Sequence, residues 1–189
     1  MKLIQKLTTK YEDIHREVID LCKGGDISAQ FKLYSLYSKA MYNICFRMMN
    51  QQEEAEDALQ EAFTYAFMRL DSFRFESSFG AWLKRIVVNT CINQLKKRRL
   101  ELFYTDTQYD RGEEEEEVDY GEIVFKAESI RRAIEKLPDG YRVVFSLYLL
   151  EGYDHTEIAE IMSISESTSK SQYLRAKKKI KEILTSNER

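Results

Sequence analysis

Chain breakers are almost absent from this sequence. Pro138 is the only proline, and seven glycines are spread over 189 residues. An all-β fold needs turn residues at short, regular intervals, so a chain this poor in them is restricted to long helices. The same scarcity excludes collagen-like, mucin-like and Gly-rich linker compositions. Hydrophobic residues make up 43% of the chain and charged residues 32%, which gives apolar surface for a core and leaves a charge-rich exterior.

The apolar spacing is helical. In 27–49, Phe31, Tyr34, Met41, Cys45 and Met48 recur at steps of three, four or seven residues. In 52–70, Ala55, Leu59, Phe63, Phe67 and Leu70 do the same, and in 79–98 every fourth residue from Leu83 through Val87 and Cys91 to Leu95 is apolar. Three amphipathic helices around a shared core are expected. A shorter one over 12–22, with Ile14, Val18 and Leu21 inward, should precede them and stop at Gly24-Gly25. Further on, helices are expected over 128–137, 141–150, 155–162 and 166–184, with Pro138 separating the first two. The fold class is therefore all-α.

A net charge of −3 hides a strong asymmetry. Residues 69–99 hold eight basic and two acidic side chains, and 170–181 hold six basic and no acidic ones. Between them, 106–122 carry nine acidic residues against Arg111, including five consecutive glutamates at 113–117. A like-charge run without apolar periodicity cannot bury itself, so 100–125 is expected to be an acidic flexible linker. It divides the chain into a helical domain over 1–99 and another over 126–189. A sharper hypothesis makes the glutamate run a nucleic-acid mimic that guards a basic surface.

No apolar stretch approaches the length of a membrane span; the longest lies near 143–150 and includes Ser146. The first residues turn polar and acidic too early for a signal peptide, so a cytoplasmic protein with no membrane insertion of its own is expected. Cys22, Cys45 and Cys91 form an odd set suited to reduced core thiols. His15 and His155 stand alone. No metal, other cofactor or catalytic residue is expected.

Two stretches carry chemistry. In the first, Asp154 and Glu157 have the spacing of a capping box, Ile158, Ala159 and Met162 form an inner face, and 163–165 make a tight turn with Ile164 inward. Ser165 can cap a second helix that buries Ser169, Tyr173, Ala176 and Ile180. Ser163 stands where a left-handed glycine is usual, and the Ser169 hydroxyl needs a backbone partner. Ser167, Thr168, Lys170, Ser171, Gln172, Arg175 and Lys178 remain on the outer side. A short helix, a tight turn and a basic helix make a helix-turn-helix, and these side chains suit phosphates and base edges of duplex DNA.

The second stretch is 71–99. Opposite its apolar stripe lie Arg85, Asn89, Asn93 and Lys96, charge for phosphates and amides for base edges. The preceding loop interleaves Phe73, Phe75, Phe79 and Trp82 with Arg74, Ser77 and Ser78. Aromatic residues beside cations can stack unpaired bases, although core packing accounts for Phe79 and Trp82 equally well. A duplex reader joined to a single-strand platform suggests promoter melting.

EEAEDALQEAFTYAF, RFESSFGAWLKRIVVNTCINQLKKRR and LPDGYRVVFSLYLLEGYDHTEIAEIMSISESTSKSQYLRAKKKI stand in this order. The chain resembles RNA polymerase sigma factors of the extracytoplasmic-function (ECF) subfamily over 29–99 and 130–184. The resemblance implies a promoter-specificity subunit that binds core RNA polymerase and promoter DNA and is controlled by an anti-sigma factor. It implies that Glu54, Asp57, Gln60 and Glu61 contact the polymerase. Phe73, Arg74, Ser77 and Ser78, with Arg85, Asn89, Asn93 and Lys96, would hold the −10 element. The helix-turn-helix would read the −35 element. Phe75 stands where the family often has glycine, and Gly80 where it often has a basic residue. An autonomous helix-turn-helix regulator is the alternative, although it has no need of the first half of the chain. A nucleic-acid enzyme would need paired carboxylates or a metal cluster, and neither is present in the sequence.

Overall fold

The computed structural model describes residues 15–102 and 127–186. The expected linker, 100–125, lies almost wholly outside the described residues, as does Ile14. Among the described residues the fold is entirely helical: α1 (Arg16–Lys23), α2 (Ile27–Met49), α3 (Gln52–Met68), α4 (Phe79–Leu102), α5 (Ala127–Glu135), α6 (Asp139–Phe145), α7 (His155–Met162) and α8 (Glu166–Ser186). A short 3-10 turn (Leu70–Ser72) follows α3, and α6 runs on into a π-helical turn (Ser146–Leu150). The chain forms two compact units, 1–46 with 51–94, and 47–50 with 95–189.

In the first unit α1 ends where the glycines predict. Gly25 adopts φ +85°, and the Asp26 amide donates back to the Leu21 carbonyl, closing a left-handed helix end. Asp26 then caps α2 by accepting from the Ala29 amide at 2.9 Å. The core holds Leu33, Met41, Ile44 and Cys45 of α2, Ala55, Leu59, Phe63 and Ala66 of α3, and Leu83, Val87, Val88, Cys91 and Ile92 of α4.

Met41, Cys45 and Met48 of α2 are buried as expected, and the departures are confined to α1 and the first half of α2. Phe31 of α2 is 73% exposed and Tyr34 is also exposed, while Leu33 is buried. The apolar side of the first half of α2 is wider than its buried face, with only Ser28, Lys32 and Ser35 on the clearly polar side, so spacing leaves the centre of that face open; neighbouring helices set it. In α1, Ile19 and Cys22 are buried, Val18 is half-buried, and Leu21 faces outward. The three cysteines are free and buried. A hydrogen bond with Cys45, and then burial, pushes the Cys91 thiol far above its ordinary range.

The second unit packs α5, α6 and α7 against α8. Ala133, Leu137, Phe145, Ala176 and Ile180 form its centre, with Tyr141, Tyr173 and Leu184 partly buried around them. The expected helix over 141–150 is divided between α6 and the π turn, because the register slips by one residue at Ser146. Arg142, buried in α6, donates to the Leu137 carbonyl at 2.9 Å and pairs with Asp139 at 2.7 Å.

Candidate nucleic-acid interface

The α4 helix carries the basic face as expected. Arg85, Asn89, Asn93 and Lys96 are all exposed, while Leu83, Val87, Cys91 and Leu95 are buried on the other side. Four- and three-residue steps keep each set on one line along the helix.

The loop before α4 divides the aromatic residues. Phe73 and Phe79 are buried, and Trp82 is half-buried. The Phe73 ring lies 5.6 Å from Phe79 and 5.3 Å from Trp82, and Phe79 lies 5.6 Å from Trp82. These three make an aromatic cluster under the loop, so the Phe73 face expected to stack a base is occupied by its neighbours. Arg74 and Ser77 are exposed. Ser78 instead caps α4: its hydroxyl accepts from the Ala81 amide at 3.2 Å. Phe75 is half-buried with φ +59°, a left-handed conformation that glycine adopts more readily than an aromatic residue.

On α3, Asp57, Gln60 and Glu61 are exposed and Glu54 is half-buried. Gln94 of α4 donates to the Glu61 carboxylate at 2.6 Å. Asp57, Gln60 and Glu61 line an open groove of about 420 Å³ together with Thr64, Tyr65 and Met68. Met68 is 80% exposed, and the Arg69 guanidinium lies 4.9 Å from the Tyr65 ring centroid. Tyr65 and Met68 were not among the residues the sequence reading placed on this face. Their signal was available: they continue the acidic face at helical steps from Asp57 and Glu61, where an apolar residue has no core to fill.

The second unit contains the helix-turn-helix. The Asp154 carboxylate accepts from the Glu157 amide at 2.8 Å and the Glu157 carboxylate accepts from the Asp154 amide at 2.9 Å, completing the box. Ser163 takes φ 59° and ψ 46°, the left-handed turn conformation, and the Ile164 amide donates to the Ala159 carbonyl. The Ser165 hydroxyl accepts from the Thr168 amide at 3.0 Å and caps α8. Ser169, Ala176 and Ile180 are buried along one stripe with Tyr173 half-buried, as the spacing predicts.

The Ser169 hydroxyl finds a side chain rather than a backbone group: it bonds His155 Nδ1 at 2.9 Å. That histidine stacks on Tyr148 at 4.4 Å and meets Tyr173 edge-on at 5.8 Å. Burial, then the charge of Lys170, holds its pKa below the ordinary histidine value against the opposing pull of Glu166 and Asp154.

On the outer side of α8, Ser167, Lys170 and Lys178 are exposed, and Thr168, Ser171, Gln172 and Arg175 are half-buried. Lys170 pairs with Glu166 at 2.8 Å, and Thr168 shares a hydroxyl contact with Ser165 at 2.7 Å. The Gln172 amide oxygen is buried with no hydrogen-bond partner among the described residues.

These two constellations have counterparts in known proteins. Residues 33–101 match the family model of Sigma-70 region 2, and residues 127–180 match that of Sigma-70, region 4. The ECF RNA polymerase sigma factor SigW of Bacillus subtilis is 31% identical over 175 residues, covering 86% of this chain and 92% of its own. The ECF RNA polymerase sigma-E factor of Escherichia coli K12 is 36% identical over 173 residues, covering 86% and 90%. The chain belongs to the ECF family of RNA polymerase sigma factors.

This sigma factor is thus a promoter-recognising subunit, and the autonomous-regulator reading is not favoured: its relatives match along both units. The fold agrees. A solved structure of the sigma factor RpoE in complex with the anti-sigma factor NepR, from Bartonella quintana, superposes with a TM-score of 0.54 at 24% identity, covering 82% of this chain and 95% of that one. CnrH in complex with the cytosolic domain of CnrY superposes with a TM-score of 0.52 at 21% identity, covering 91% and 97%. No described helix of this sigma factor is long and apolar enough to cross a membrane.

Proposed function

We propose that this sigma factor assembles with core RNA polymerase through α3, takes the displaced −10 strand on loop 73–79 and the exposed face of α4, and reads the −35 duplex with α8. In this reading residues 1–99 and 126–189 are the two working domains, joined by 100–125. The protein carries no catalytic group of its own; the polymerase supplies the chemistry. The single observation behind the assignment is the line Arg85, Asn89, Asn93 and Lys96 on α4, exposed along its whole length while the opposite side is buried. Arg85, Asn89 and Asn93 are spent on no packing there, Lys96 donates among the described residues only to the exposed Ser163 hydroxyl at 3.1 Å, and the chemistry of all four fits phosphates and base edges. The RpoE structure contains an anti-sigma factor, and a protein partner of that kind is proposed for this chain too.

The test separates docking from opening. Full-length protein is mixed with core bacterial RNA polymerase and run by size exclusion, and the complex is then assayed for promoter opening by permanganate reactivity. Arg85→Ala and Asn89→Ala should co-elute like wild type and lose at least roughly tenfold in opening, the scale of one good base contact. Asp57→Ala, with Tyr65→Ala beside it, should fail to co-elute. Equal losses of both properties in all variants would overturn the assignment.

A further inference from the structure

The α1 helix lies ahead of the region matched to Sigma-70 region 2, which begins at residue 33. Yet two of its side chains reach the loop that the proposed function makes the single-strand site. Lys23 Nζ donates to the Phe73 carbonyl at 2.7 Å. It also lies 5.0 Å from the Phe75 ring centroid, and the Arg16 guanidinium carbon lies 4.5 Å from the same centroid. Phe75 itself is held at φ +59°. An aromatic residue avoids that region by roughly 1 kcal/mol or more, so something must hold it there. Two cations against its ring and a Phe73 ring at 4.8 Å account for the conformation.

The two cations do different work. Lys23 is half-buried and spends its ammonium on the loop backbone. Arg16 is exposed and uses only the face of its guanidinium on Phe75. Its N–H donors lie in the plane, at the edge, and their acidic neighbour among the described residues, Asp20, is 3.8 Å away. A guanidinium stacked on its face, with Asp20 only on its Nε side, keeps its terminal N–H groups for an oxyanion, and exposed Arg74 sits in the same loop.

We propose that α1 is part of the −10 site: Lys23 positions loop 73–79, and Arg16, stacked on Phe75, binds a backbone phosphate of the displaced single strand. The inference rests on reading that loop as the single-strand site. It also gives the ring of Phe75 a purpose, because a glycine there would offer nothing on which to hold Arg16.

The test uses holoenzyme made from the full chain and core polymerase. A promoter is first recovered by selection from a randomised duplex pool with the wild-type holoenzyme, then rebuilt with a mismatched bubble over its −10 positions. Affinity for the bubble is measured across a salt series, with thermal melting of each variant as the folding control. Arg16→Gln should weaken binding about threefold and lower the salt slope by about 0.7, the release expected for one single-strand phosphate. Phe75→Gly should show the same slope change, while Arg16→Lys keeps most of the slope. Lys23→Gln should weaken binding with a smaller slope change, since its charge is already engaged.

Wild-type affinity and slope in Arg16→Gln, with Arg74→Ala and Ser77→Ala impaired, would overturn the α1 assignment alone. A weaker Arg16→Gln with an unchanged slope would also overturn it, leaving only a loop-shaping role. If Arg74→Ala and Ser77→Ala bind as wild type as well, the single-strand reading of the loop fails along with it.

Discussion

Ser163 and Phe75 occupy left-handed backbone that side chains avoid, and the two are retained for different reasons. At Ser163 the conformation turns the chain between α7 and α8, and a glycine would do the same without a Cβ penalty. Ser163→Gly should therefore raise the stability of the second unit by about 0.5 kcal/mol, the strain relief less the extra unfolded-state entropy of glycine. The midpoint of urea unfolding measures it; a fall would mean that the bond the Ser163 hydroxyl accepts from Lys96 Nζ at 3.1 Å outweighs the strain. His155 gives a pH-dependent counterpart. Its pKa is lowered in the fold, chiefly by burial and then by Lys170, so the unfolded chain binds the proton more readily. Stability should rise as pH increases through the ordinary histidine range and be complete above it. Thermal melts from pH 5 to 8 should show this rise, and His155→Gln should flatten it.

At the scale of the element, spacing placed α3, α4, α7 and α8 well because each has one apolar stripe and a marked end. The α7 helix is the clearest case, since Asp154 and Glu157 announce its start and Ser163 its end. Asp154→Ala should cost about 1 kcal/mol of stability in the second unit and weaken duplex binding in proportion to the unfolded fraction. Asp154→Asn, which keeps an acceptor, should recover most of it; circular dichroism melts read both. The faces of α1 and the first half of α2 were misjudged for a reason of the same kind. Val18, Ile19, Leu21 and Cys22 in α1, and Phe31, Leu33, Tyr34 and Leu36 in α2, make an apolar side wider than the face that is buried, so spacing alone leaves its centre open. The slip from α helix to π turn at Ser146 leaves no mark in the residue pattern either.

For the whole molecule, the separation of charge matters more than its sum. Two basic stretches would attract DNA to the free protein, and a guarding role for the acidic run at 113–117 would have it compete with DNA for the same cations. Changing these five glutamates to glutamine should raise the affinity of the free protein for duplex DNA at about 50 mM salt, with the difference shrinking as salt screens it. Gel shifts without polymerase measure this, and unchanged affinity would remove any guarding role from the run.

Class, order of helices, caps and the two basic faces were fixed by the sequence alone, because each depends on residues within a few positions of one another: a stripe, a box, a scarcity of breakers. What needed the tertiary structure were the assignments that depend on distant parts of the chain. Phe73 was an available aromatic in the sequence and became a core residue only when Phe79 and Trp82 closed on it. His155 stood alone until Ser169, Tyr148 and Tyr173 gathered around it. Arg16 and Lys23 are more than fifty residues from Phe75, and no local pattern brings them together. Their charge is written in the chain, but its place beside loop 73–79 exists only once α1 has packed against that loop.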